Sequence, residues 1–240
     1  MITYTIISAA HIPDILGALD TVQQSLQNIE DHACNDFQST KSILDVLTDL
    51  DIEHVLSGPA RSKLSAIISN LQYVDVLQQR LSHISRTNEV IREELVQFTE
   101  RPESSMMAYR YMIQLNLNQF QDAINLYLHT TDAVHNALTD ISKNHKMLFL
   151  HIPQARLLYK YNSEILHETT LVNEVHSREL LRYRHPSKLP EKDSVDELKK
   201  IAAYYTMEQE RVVFDAFLRS EMNYEQGYDV DSDKERISLF

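Results

Sequence analysis

Asp75 and Gln79 stand four apart in the stretch Leu71–Ile84, LQYVDVLQQRLSHI. On a helix that spacing puts a carboxylate and a carboxamide one turn apart on one side. A carboxylate can grip a partner's cation. A carboxamide can hold a water in line with a phosphoryl group, the task a glutamine performs in phosphoryl hydrolysis. The pattern Gln-aromatic-x-Asp recurs at Asn118–Thr131, NQFQDAINLYLHTT, where Asp122 matches Asp75. There Leu126 replaces the second amide, and Asn125 offers one a position earlier. Leu71 lies seven before Gln78, so Gln78 belongs to the apolar stripe, and Asp75 and Gln79 run along its flank. The alternative for these polar residues is purely architectural, because a Gln or Asn in a helical seam commonly fixes register.

The elements that must carry these residues read as long helices. Three glycines in 240 residues are too few for a hairpin-rich β protein or a glycine-rich phosphate loop. Pro13 suits a first helical turn. Apolar residues then follow at spacings of three and four through Ile15, Leu19, Val22, Leu26, Ile29 and Ala33, and again from Ile43 to Leu50. This is one helix or two, with a weak point near Asn35–Ser39. Ser57-Gly58-Pro59 is a stop and restart. One helix is expected to carry Leu64 through Phe98, a third Met107 through Ile141, and a fourth Leu157 through Leu181. Met1–Ala10, apolar and β-branched, is a short strand or a lead-in. The expected fold is all-α: an elongated antiparallel four-helix bundle over 1–184, with an internal repeat at 64–98 and 111–145. A charged, proline-bearing linker follows at 185–194. Ser194-x-x-Glu197 then opens a further C-terminal helix, 195–222, with a capping box. Residues 223–240 read as a flexible acidic tail with an apolar end, Ile237, Leu239 and Phe240.

The net charge of −12 argues against nucleic acid as a partner, since phosphate neutralisation needs clustered Lys and Arg. No apolar run is long enough for a membrane span, and the start lacks the basic residues of a signal peptide. The single Cys34 excludes an internal disulfide and a cysteine-rich zinc site, which fits a cytoplasmic setting. Glu164-x-x-His167 and Asp132-x-x-His135 resemble half of a helical di-iron site, but no second complete pair accompanies them, and no metal is expected.

The segment Tyr73-Val74-Asp75-Val76-Leu77-Gln78-Gln79 resembles the Phe-Gln-Asp-x-x-x-Gln helix of the CheZ family of chemotaxis phosphatases. Phe120-Gln121-Asp122 is similar to its first half. The acidic tail ending in Ser238-Leu239-Phe240 resembles the flexible linker and terminal tether of that family. The resemblance implies a partner, the receiver domain of a CheY-like response regulator, and a role as a protein-aspartyl-phosphate phosphatase. Asp75 would then engage a receiver lysine and Gln79 would place the attacking water. Asp122, Asn125, Ile237, Leu239 and Phe240 would be partner contacts. Such an enzyme has no cofactor of its own, because magnesium is held by the receiver. CheZ proteins are dimers of helical hairpins, so a homodimer is one expectation and a duplicated hairpin within one chain another. The alternative is a non-enzymatic helical adaptor, scaffold or coiled-coil oligomerisation module in bacterial signalling. Tyr205–Arg211 resembles a segment of bacterial helical proteins found near such systems, with no chemistry attached to it.

Overall fold

The computed structural model describes residues 5–49, 58–69, 71–100, 109–144, 157–184, 198–199 and 201–222. They form α1 (Ile12–Asp49), α2 (Gly58–Ser69), α3 (Tyr73–Glu100), α4 (Tyr109–Asn144), α5 (Leu157–Val175) and α6 (Glu208–Met222). The only β structure among them is a two-residue parallel pairing of Thr5–Ile6 with Tyr183–Arg184. The chain is all-α, a helical bundle around one continuous core.

The three/four spacing read in the sequence is the spacing that is buried. On α1 the inward row is Ile15, Leu19, Val22, Leu26, Ile29, Ala33, Asp36, Thr40 and Ile43. Each large aliphatic side chain taken from water there contributes about 1.5–3 kcal/mol. Facing it are Leu77, Leu81, Ile84, Ile91 and Leu95 of α3 and Ile165 and Val172 of α5. α4 adds Ile113, Leu117, Phe120, Ile124, Tyr127, Val134 and Leu138. Side-chain bonds order the pairings. Asn28 reaches Glu168 at 3.0 Å and His32 reaches Glu164 at 3.1 Å, so α5 partners fall as α1 positions rise. The same reversal holds between α3 and α4, where Tyr73 meets Tyr127, Arg80 meets Asp122 and Asn88 meets Asn116.

One alternative is decided and two expectations are corrected. Of the one helix or two read around Asn35–Ser39, the structure has one, α1, continuous across that stretch; Asp36 and Thr40 occupy buried stripe positions. The expected helix over Leu64–Phe98 is two helices, α2 and α3, separated by a turn in which the Leu71 amide donates to the Ile68 carbonyl at 3.2 Å. Its apolar spacing continues across the turn because Ile67 of α2 and Tyr73, Val74 and Leu77 of α3 are all core, and periodicity alone does not register so short a break. The expected C-terminal helix over 195–222 is interrupted: residues 198–199 and 201–202 are helical, Ala203–Met207 are not, and α6 begins at Glu208. Ahead of it the Tyr204 and Tyr205 amides donate to the carbonyls of Ile201 and Ala202, three residues back, so the chain turns tightly there. Leu198, Ile201 and Tyr205 are nevertheless buried.

α5 ends in a π-turn, His176–Leu180, in which the Leu181 amide donates to the His176 carbonyl at 2.8 Å. His176 is 1% exposed, and its Nδ1–H donates to the Val172 carbonyl at 2.8 Å. Burial, opposed weakly by that bond, pulls its pKa down to about 4. No helix among the described residues is long and apolar enough to cross a membrane. Ile237, Leu239, Phe240, the linker and the Ser194 capping box lie outside the described residues.

Candidate functional site on α3 and α4

Asp75 and Gln79 are both exposed on α3, one turn apart. Asp75 lies in the first turn of that helix, where the free amides and the helix dipole favour a carboxylate by a few tenths to ~1 kcal/mol. Gln78 between them turns inward instead. Its amide donates to Glu30 Oε1 and to Cys34 Sγ, each at 3.2 Å, and so ties α3 to α1. The Cys34 thiol is pushed up by burial and then by Glu30, Asp31 and Asp75. Those three carboxylates therefore share one flank of the molecule.

The second copy of the pattern has a different fate. Phe120, like Tyr73, is core, and Asp122, like Asp75, reaches the surface. Asp122 Oδ2, however, lies 2.8 Å from Nη1 of Arg80, a side chain only 1% exposed. The cation that Asp122 grips thus belongs to its own chain. Gln119 is buried where Gln72 is exposed. Its carbonyl and Oε1 both accept from Arg80 Nη2 at 3.4 Å, and its amide donates to the Glu210 carbonyl at 2.7 Å. Asn125 is exposed on α4.

Glu210 completes this cluster and explains part of the Tyr205–Arg211 segment. It is 1% exposed, accepts the Met207 amide at 3.0 Å at the start of α6, and meets His83 Nδ1 at 2.8 Å. Tyr205 accepts from the Thr87 hydroxyl at 3.3 Å. The segment is a latch that holds α6 to α3 through His83 and Thr87 and to α4 through Gln119. Sequence reasoning did not find Arg80, Gln119 or Glu210. The available signal was a polar residue standing at an apolar stripe position.

A second buried cluster lies at the centre of the helices. Asp36 is 0% exposed, and its Oδ2 accepts from the hydroxyls of Tyr73 and Tyr127, each at 3.2 Å. Its Oδ1 lies 3.3 Å from His135 Nε2, and His135 Nδ1 lies 3.3 Å from the Asn162 amide nitrogen. The amide donating to Nδ1 and Nε2–H donating to Asp36 satisfies both ring nitrogens, a tautomer assigned from these contacts. The phenol pKa values of Tyr73 and Tyr127 are raised, first by burial and then by Asp36. Both tyrosines stay neutral donors. The His135 of the Asp132–His135 pair is thus engaged by Asp36, and the Glu164 of the other pair by His32 and Lys160. Among the described residues no group of three His, Cys, Asp or Glu side chains is placed to hold a metal ion.

Between the first turns of α3 and the middle of α4 runs a groove of about 180 Å³. Tyr73 and Tyr127 line it with their rings, with Val76 and Leu126 alongside and Gln72 and Thr130 also contributing. Leu126 is 41% exposed. Comparison with family models, with curated proteins and with solved structures finds no match for this chain.

Proposed function

We propose that this chain is a signalling protein that binds the phosphorylated receiver domain of a CheY-like response regulator and promotes its dephosphorylation. One observation carries the reading: Asp75 and Gln79 are both exposed, one turn apart, on the helix whose sequence resembles the CheZ segment. In this reading Asp75 takes a receiver lysine, and the negative flank formed with Glu30 and Asp31 favours that cation. The Gln79 amide orients a water toward the aspartyl phosphate, and the receiver supplies the magnesium. Ile237, Leu239 and Phe240 tether the same partner and raise its effective concentration. The same proposal carries an elongated, antiparallel four-helix arrangement and a cytoplasmic setting.

A non-enzymatic adaptor is the second reading, and the Arg80–Asp122 pair favours it. With Asp122 engaged inside the chain, only one acid–amide pair remains for chemistry. One experiment separates the two. A CheY-like receiver is phosphorylated with acetyl phosphate in the presence of magnesium, the phosphodonor is removed, and phosphate loss is followed with and without the chain. Acceleration supports the phosphatase. Binding without acceleration supports the adaptor, and absence of binding to a panel of receivers removes both.

A further inference from the structure

We infer that the open part of the α3–α4 groove is a docking site for a basic amphipathic helix of a partner protein, laid end to end with α6. Continuity carries the argument. Positions 76, 80 and 83 on α3 succeed one another by single turns, as do 126, 122 and 119 on α4. At the first level Val76 and Leu126 line an open groove. At the second, Arg80 reaches across to Asp122. At the third, His83 and Gln119 hold Glu210 of α6. The two helices thus receive the first turn of α6 beyond the Arg80–Asp122 bridge and leave a groove open before it. α6 shows what packs on this side of α4: an amphipathic helix that buries Phe214, Phe217 and Leu218 at helical spacing, with Phe217 against Tyr111, and leaves Val212 outside.

The chemistry of the open part selects the occupant. Its surface is aromatic and aliphatic, from Tyr73, Tyr127, Val76 and Leu126, with room for one or two apolar side chains. Both tyrosines are buried with their hydroxyls committed to Asp36, so they form an apolar floor and offer no free polar group. Leu126 stays substantially exposed, which an occupant would relieve. Asp75 lies next to Val76 on the same helix and is exposed, on a chain of net charge −12. A helix with apolar residues at i, i+4 and i+7 and Lys or Arg beside them meets both demands. The inference does not depend on the partner being a receiver domain.

The test uses the full chain and a fluorescein-labelled synthetic helix with Leu at i, i+4 and i+7 and Lys elsewhere. A scrambled peptide of identical composition is the control. Anisotropy titration should show the amphipathic peptide binding at least about tenfold tighter than the scrambled one, the effect of burying one large apolar side chain. Leu126→Glu and Val76→Glu should each reduce its affinity to the level of the scrambled peptide, with the melting temperature unchanged. The direction is diagnostic, because the added negative charge would strengthen a purely ionic capture. Gln79→Ala should leave peptide binding intact, which separates this site from the phosphatase chemistry. Equal affinity for both peptides, or unchanged affinity in the two Glu variants, overturns the inference. A dimer in light scattering that Leu126→Glu dissociates also overturns it, since a second copy would then fill the groove.

Discussion

The Arg80 guanidinium, buried on α3, meets the half-exposed Asp122 carboxylate on α4 at 2.8 Å. A buried cation that loses its counter-ion is costly, whereas an apolar replacement for the pair is often nearly neutral. Asp122→Ala should therefore destabilise the fold by about 1–3 kcal/mol, below the full penalty for a buried pair because water reaches Asp122. Arg80→Met combined with Asp122→Ala should recover much of that loss. Urea denaturation of the two single variants and the double gives the coupling directly. Additive losses would show that the pair contributes nothing.

The central cluster gives a second expectation. Tyr73→Phe and Tyr127→Phe each remove one donor to Asp36 and should cost about 1 kcal/mol. Asp36→Ala leaves two phenols and His135 short of a partner and should cost about 3–5 kcal/mol, enough to threaten folding. Asp36→Asn, which keeps the shape, should lie between them. Thermal melts of the four variants check the order.

His176 sets a pH dependence. Its pKa is near 4 in the folded chain and near 6.5 when unfolded, so the unfolded state binds the proton first. The associated stability is intact above pH ~6.5 and is lost progressively as pH falls from there toward about 4. The full loss is on the order of 3 kcal/mol. Melting temperature against pH should fall over that window, and His176→Phe should flatten the slope. An unchanged slope in that variant would assign the acid sensitivity to other groups.

Asp75 and Gln79 should separate on mutation if the phosphatase reading holds. Gln79→Ala should keep receiver binding and lose at least about tenfold in phosphate release, because an amide that orders water acts in the transition state. Asp75→Ala should weaken binding as well. Asp122→Ala should change stability first, for the reason given above. Single-turnover dephosphorylation and binding by anisotropy separate these outcomes.

Fold class was legible in the sequence because burial in a helix follows local spacing. Ile15, Leu19, Val22, Leu26 and Ile29 recur at three and four, and all are core. Pro13 marked the start of α1, and Asp75 and Gln79 were legible as flank residues because their angle to the apolar stripe is a property of one helix. The tertiary structure alone decided which polar residues on the stripes found partners. Asp36 reads as a flaw in a helix until Tyr73, Tyr127 and His135, all distant in sequence, converge on it. Asp122 reads as the twin of Asp75 until Arg80 reaches it across the helix interface. Helix geometry tells each side chain which way to point, but a hydrogen bond or ion pair also depends on what another helix brings to the same level, and that register is set by the packing of the whole chain.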